Sequence, residues 1–531
     1  MRPAVAEAFT DEERGRLAPY FTNADGHIFA LTNLPETVKG ALFARYSRSA
    51  KSLRRLFLDE FADRMDAPAP GGSPDAGVAR AEKLYARVFN EYGDDSVAQL
   101  GGAHIACEYV SNILTKVLEW GRLMAYLEQS TRYVPYTDRL HGRWRYHVPA
   151  ELEGGALRER YVQVMGQAFE LYAKWIPAMQ AHFEVRYPKS PSDSDAVHRA
   201  AIRAKALDTL RGMLPSATQS NVGIYGTGQA YEALLLRMRA HPLAEVRDCA
   251  DQMLAELRKV IPAFLTRVDQ PDRGGAWSAY FAATRATMEA LAARLASADA
   301  EPRDEVTLTD YDPDAEIRIV AAALYAVSDL PDDQLMALAL SMTPDERASV
   351  LRGYVGDRTN RRHRPGRAFE RTTYRFDVLT DYGAFRDLQR HRMLTLEWQP
   401  LTTRHGFTEP EAIAQAGAKD DWNRVMDGSA DLYEAMVAAG LKPAAPYAVA
   451  MAHRVRFYLE MNPREAMHLI ELRTAPQGHP AYRRVCQQMH RLIAEQAGHR
   501  ALAAAMQFAD HSAVALERLN AERTLERKRG E

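Results

Sequence analysis

Apolar positions recur three or four residues apart along most of the chain, as in AVHRAAIRAKALDTLRGML (196–214) and YRRVCQQMHRLIAEQAGHRALAAAMQF (482–508). That spacing keeps one face of a helix apolar, so the chain is predicted to be mainly helical. Alternation of apolar and polar residues is confined to short stretches: GRWRYHVP (142–149), DEVTLTDY (304–311) and TTYRFDVL (372–379). These are the predicted strands. NPREAMHLIELR (462–473) reads as a helix capped by Asn462 with Pro463 in its first turn. A Pro/Gly stretch at 65–77 is a loop, and LASADAEPRDEV (295–306) breaks the pattern near mid-chain. Two domains are therefore expected, 1–298 and 299–531.

The order of elements repeats across that break. ETVKGALFARYSRSA (36–50) parallels AEIRIVAAALYAVSD (315–329), and DSVAQLGGAHIACEYVSNILTKVLEWGRLMAYLEQ (95–129) parallels RAFERTTYRFDVLTDYGAFRDLQRHRMLTLEW (367–398). LPSATQSNVGIYGTGQAYEALLLRM (214–238) parallels YAVAMAHRVRFYLEMNPREAMHLIELR (447–473). Residue identity is low, but a tandem duplication accounts for the shared order. The first half carries an extra segment of roughly 35 residues around HGRWRYHVPAELEGGALRERYVQVMG (141–166).

Composition narrows the classes of function. The 531 residues are 47% apolar and 26% charged with a formal charge of −2, which does not suit a general nucleic-acid binder. The three cysteines lie far apart without metal-ligand spacing, so neither a disulfide framework nor a metal is expected. The N-terminus lacks a signal-peptide core and no apolar run is long enough to span a bilayer, so a cytoplasmic protein without membrane contact is expected.

Three motifs carry candidate chemistry. Arg390, His391 and Arg392 sit together between apolar stretches, and guanidinium forks held there suit anionic oxygens. In YLEQSTRYVPY (126–136), Ser130, Arg132 and the backbone N–H groups between them would suit one phosphate, with Glu128 near a ribose or another polar edge. In the third block Arg464 and His468 share a helix face, and Arg473 lies off that stripe.

Together these blocks resemble the flavin-dependent (alternative) thymidylate synthases. That family is marked by Arg-His-Arg, seven residues, then Ser, with Glu two before the serine and Arg two after, and by a distal Asn-x-Arg with a further Arg. Each half of this chain keeps only part of the pattern. The second half has Arg390-His391-Arg392 but Pro400 at the serine position; the first has Trp120-Gly121-Arg122 followed in register by Glu128, Gln129, Ser130, Thr131 and Arg132. Asn462, Arg464 and Arg473 match in the second half, with His468 at a flavin-contacting position; the first half has Thr227, Gln229 and Met238. Arg211, three residues before Leu214-Pro215, matches a nucleotide-binding arginine that the second half replaces with Pro446.

The losses are complementary. The resemblance implies a nucleotide grip from the first half (Glu128, Gln129, Ser130, Thr131, Arg132, Arg211). It implies flavin contacts from the second (Arg390, His391, Arg392, Asn462, Arg464, His468), with Arg473 facing the uracil as the catalytic group and Ser96 as a further flavin contact. The expected fold is α+β: two tandem domains of thymidylate-synthase-complementing type, each helix-rich with a small, mainly antiparallel sheet. The implied activity is reductive methylation of dUMP to dTMP with FAD, NADPH and methylenetetrahydrofolate, in a homodimer that mimics the family's tetramer. A flavin enzyme acting on another uridine nucleotide, or a non-catalytic homologue, would keep parts of the same pattern.

Overall fold

The structure, a computed structural model, describes residues 7–26, 28–46, 49–63, 99–296 and 301–530. Ser96 and the loop at 65–77 lie outside the described residues. Helices dominate, with small antiparallel sheets, so the α+β expectation holds. Among the described residues no helix is long and apolar enough to cross a membrane.

The chain forms two compact units. The first comprises Met1–Glu108, Leu123–Glu128 and Asn221–Ala298; the second comprises Tyr109–Arg122, Gln129–Ser220 and Asp299–Glu531. This grouping crosses the 298/299 boundary expected from the sequence, because two segments of the first half belong to the second unit. The reason lies in which helices those segments carry. Gly155–Arg186 and Asp195–Leu210 pack on each other, and the former also packs on Lys419–Ala438 of the second half.

Strands β1 (Gly102–Ser111), β2 (Met124–Glu128) and β5 (Gln219–Thr227) form a sheet in the order β1-β5-β2. The hairpin β3 (Arg139–Leu140) and β4 (Arg143–Trp144) lies in the extra segment. Strands β6 (Val306–Tyr311), β7 (Tyr374–Asp381), β8 (Thr395–Trp398) and β9 (Arg454–Met461) form a sheet in the order β6-β7-β9-β8. The order β7-β9-β8 repeats β1-β5-β2, and the register repeats with it. Glu128, two residues before Ser130, pairs with Val222, five before Thr227. Trp398, two before Pro400, pairs with Phe457, five before Asn462. Each half thus folds the same motif onto the same hydrogen-bond ladder.

Within the second unit the two copies meet reciprocally. Pro215 and Ala450, the residues four beyond Arg211 and Pro446, form an antiparallel bridge. Ser216 N donates to Val449 O at 2.8 Å while Met451 N donates to Leu214 O at 2.9 Å. Such exchanged contacts between equivalent positions are what a local two-fold produces.

Candidate functional site

The site is built from the ends of helices that follow the strands. Asp381 at the end of β7 caps the helix Tyr382–Leu388, its Oδ1 accepting from Ala384 N at 2.8 Å. That short helix brings Asp387 and then Arg390 and His391 to the second half's distal helix, Pro463–Arg473. The distal helix begins as the sequence predicts, with Asn462 accepting from Glu465 N at 2.9 Å and Pro463 in the first turn.

Asp387 is the centre of the cluster. Its carboxylate pairs with Arg390, and it lies 3.7 Å from Arg473 Nη1 and 3.7 Å from Arg211 Nη1. Burial alone would raise its pKa, but Arg390, Arg473, Arg211 and Arg132 together pull it far below the usual carboxylate range. Arg473 is pinned on several edges. Its Nε donates to His391 Nε2 at 2.9 Å, its Nη2 donates to the Asp387 carbonyl at 2.5 Å, and its Cζ lies 5.4 Å from the Tyr482 ring centre.

That bond fixes the histidine tautomer. With Nε2 accepting, His391 Nδ1 carries the proton and donates to Glu465 Oε1 at 3.0 Å. Burial first, then Arg473, His468 and Arg390, hold His391 well below its ordinary pKa, so it is neutral. Burial pushes Glu465 up to about 7. His391, Glu465 and His468 place potential metal-ligand atoms within 4.8 Å of one another. Arg473 and Arg364 donate to ring nitrogens of this trio, and Arg361, Arg390 and Arg464 stand close by. So much fixed positive charge repels a cation, and the surroundings suit an anion.

From the first half, Arg132 reaches the cluster fully engaged. Nε and Nη2 grip Asp208 at 2.8 and 2.7 Å, and Nη1 donates to Gln477 O and Tyr482 Oη at 3.3 Å each. Ser130 Oγ accepts from Arg132 N at 3.2 Å, closing a turn, so that N–H is already used and is not open to a phosphate. Thr131 is buried, and the buried Gln129 Oε1 has no hydrogen-bond partner among the described residues. Glu128 ends β2 and is buried.

Arg211 is different. It is 4% exposed, and its Nη2 has no hydrogen-bond partner among the described residues. Gly383 makes room for it: a Cβ there would lie 3.1 Å from Arg211 Nε and Nη2. A cavity of about 540 Å³ opens beside Arg211, Asp208, Asp381 and His479, walled by Phe183, Tyr187 and Trp422. His479 caps the helix Pro480–Glu495, and burial followed by Arg211 lowers its pKa to about 3.

The structure thus brings Arg132 and Arg211 of the first half together with Arg390, His391 and Arg473 of the second. Arg464 turns toward Pro365 O (2.9 Å) and Glu370 (3.3 Å), and His468 toward Arg364 (2.8 Å). Arg392 is exposed and makes no side-chain ion pair among the described residues. Asp387, Asp208 and Glu465 were missed from the sequence; Asp387 stands three residues before Arg390, the helical spacing of a carboxylate–arginine pair. The positions that lost the motif have other work. Trp120 packs edge-on against Trp398 at 5.9 Å and Met238 is fully buried, while Arg122, the one arginine of the triplet that the first half keeps, donates to Leu394 O at 3.0 Å.

The sequence model of the thymidylate synthase complementing proteins matches residues 41–263 and again 307–497. A UPF0159 protein of Chlamydia muridarum is 36% identical over 526 residues, 97% of this chain and 98% of its own. A UPF0159 protein of Thermoplasma acidophilum is 30% identical over 91% of this chain and 97% of its own. A flavin-dependent thymidylate synthase of Clostridium tetani is 25% identical over 181 residues, covering 34% of this chain and 67% of its own. Among solved structures, the UMP/dUMP methylase PolB from Streptomyces cacaoi bound with 5-Br dUMP is 19% identical, covering 38% of this chain and 94% of its own at a TM-score of 0.30. The repeated register, the reciprocal contacts and the twofold match agree: the chain belongs to the thymidylate synthase complementing protein family and carries its unit twice in tandem.

Proposed function

We propose that the chain is a flavin-dependent uridine-nucleotide methylase, converting dUMP to dTMP, with one composite site drawn from both halves. The observation that supports this reading most is the convergence of Arg132 and Arg211 with Arg390, His391 and Arg473 around one buried Asp387. The positions abandoned in each half are complementary, which a scaffold without a site has no reason to maintain. The name of the Clostridium tetani relative supports the flavin.

The donor set fits such a cofactor. Arg390, Arg392 and Arg464 with a neutral His468 offer hydrogen-bond donors and net positive charge, the complement of a phosphorylated dinucleotide, while His391, its one N–H held by Glu465, positions Arg473. When bound and reduced by NADPH, the flavin would supply the hydride, with methylenetetrahydrofolate as the one-carbon donor. The chain's own residues bind and orient. Arg211 has donors to offer a nucleotide phosphate, and Arg132, locked on Asp208, shapes the wall beside it. Arg473 is held rigid by His391 and Asp387, and a preorganised guanidinium stabilises negative charge developing on a pyrimidine edge at little reorganisation cost. Two such chains as a dimer would carry two sites.

The test is product analysis after anaerobic incubation with FAD, NADPH, methylenetetrahydrofolate and either dUMP or UMP. Formation of dTMP supports the reading. A methylated product from UMP alone would move the substrate to the ribonucleotide, and no product with either, from a protein that binds flavin, would overturn it.

A further inference from the structure

Arg211 differs from the other arginines of the cluster in having almost nothing to hold. It is buried, yet its guanidinium makes no hydrogen bond among the described residues, and its enclosed Nη2 lacks a partner. Its one ion pair among the described residues is with Asp387, Nη1 lying 3.7 Å from Oδ2, beyond hydrogen-bond reach. Unpaired donors on a buried guanidinium are costly, so this contact is a Coulombic tether and leaves Arg211 unsatisfied. The neighbouring carboxylates are spent elsewhere: Asp208 on Arg132 at 2.7 Å, and Asp381 on Ala384 N at 2.8 Å.

Asp387 is in the opposite position, one carboxylate before three guanidinia. It bonds Arg390, and Arg473 Nη1 stands as far off as Arg211 does, at 3.7 Å. Arg473 is anchored besides by His391 Nε2 and the Asp387 carbonyl, so it keeps its place without the carboxylate. Arg390 follows Asp387 by three residues and moves with it. Arg211 comes from a separate element, the turn Arg211–Met213 that follows the helix Asp195–Leu210. Of the three arginines, Arg211 is the one that lines the cavity of about 540 Å³, a volume that suits a small-molecule ligand. It is therefore the guanidinium that a ligand in the cavity can take from Asp387.

We infer that Asp387 is a specificity-determining residue: its carboxylate holds Arg211, so the site admits only a ligand group anionic enough to draw that guanidinium away, a phosphate monoester. Near neutral pH such a group carries close to two charges and presents three oxygens to the guanidinium fork. A carboxylate or a phosphodiester carries one charge and gains nothing over Asp387, and a nucleoside offers none. After the exchange Asp387 keeps Arg390 and Arg473, which hold it ionised and in place. The inference rests on the reading of this cluster as the nucleotide site and deepens it, by assigning the choice of nucleotide over nucleoside to one carboxylate.

The test titrates full-length wild type, Asp387→Asn and Asp387→Glu with dUMP, deoxyuridine and inorganic phosphate by calorimetry. Thermal shifts in phosphate and in acetate, at equal ionic strength, run beside it. Wild type is expected to bind dUMP about tenfold or more tightly than deoxyuridine, and to be stabilised by phosphate but not by acetate. In Asp387→Asn, phosphate and dUMP should each bind about tenfold more tightly than in wild type, with deoxyuridine unchanged and acetate now stabilising. Asp387→Glu, which keeps the charge, should restore the wild-type ranking. If Asp387→Asn does not stay folded alone, its refolding yield in phosphate against chloride, compared with that of wild type, reads the same exchange. Equal dUMP and deoxyuridine affinities in wild type would overturn the role of Asp387. Unchanged phosphate and dUMP affinities in Asp387→Asn, or a refolding yield indifferent to phosphate, would overturn it too. Either result leaves the methylase reading to product analysis on wild type. Tighter phosphate and dUMP binding in Asp387→Asn, beside a flavin-loaded wild type that forms no methylated product, would support the role of Asp387 and overturn the methylase reading.

Discussion

Asp387 and Glu465 are two buried acids whose surroundings push them in opposite directions, and each leaves its own mark on stability. The carboxylate of Asp387 separates Arg390, Arg473 and Arg211. Asp387→Asn removes the charge and leaves those guanidinia facing one another, which is expected to cost about 3–5 kcal/mol in chemical denaturation. Because its folded pKa is depressed, the stability that Asp387 contributes is complete above its unfolded value of about 3.9 and is lost as pH falls below it. Glu465 runs the other way. Raised to about 7 in the fold, it favours folding below its unfolded value of about 4.3, and that contribution is lost as pH rises toward 7. Glu465→Gln retains an acceptor for His391 Nδ1, so the variant should lack this decline and be more stable than wild type at pH 8. Parallel stability–pH curves for the two proteins would contradict the burial of an ionisable Glu465.

At the scale of elements, the distal helix and the turn into Tyr382–Leu388 decide where the arginines sit. Asn462 serves as an N-cap, so Asn462→Ala is expected to cost about 1 kcal/mol and Asn462→Ser very little. If Asn462 also touches the cofactor, the serine variant will keep its stability and still lose flavin affinity; unchanged affinity would restrict Asn462 to capping. Gly383→Ala would set a Cβ 3.0 Å from Asp381 Oδ1 and 3.1 Å from the Arg211 guanidinium. Displacing Arg211 should weaken nucleotide binding about tenfold or more if its contact is a charge-assisted hydrogen bond, with flavin affinity unchanged. These elements were legible in the sequence to different degrees. The cap, the predicted strands that became β6 and β7, and the repeated order all follow from local spacing. Strand β1 does not alternate: Gly102 and Ala103 are both buried, Glu108 and Tyr109 both exposed, and Val110 and Ser111 both buried, so periodicity could not reveal it. The charge network was hidden for a different reason. Arg132 meets Asp208 across 76 residues, and Arg364 meets His468 across 104, distances that no local pattern encodes.

In the molecule as a whole, the proposed function has duplication freeing each half from carrying a complete site. Repeated sheet register and the reciprocal contacts around Pro215 and Ala450 keep the two copies in one architecture, while side chains at equivalent positions diverge. Trp120 and Met238 have become packing residues where Arg390 and Arg473 keep their charge. The proposed division of labour takes nucleotide contacts from one half and cofactor contacts from the other. Binding stoichiometry tests this most directly, by titrating the full-length chain with FAD and with dUMP and repeating both titrations on Arg211→Ala and Arg390→Ala. We expect one FAD and one dUMP per chain, dUMP binding lost in Arg211→Ala with FAD retained, and FAD binding lost in Arg390→Ala. Two of each per chain, or an Arg211→Ala variant that binds dUMP as wild type does, would contradict a single site shared between the halves.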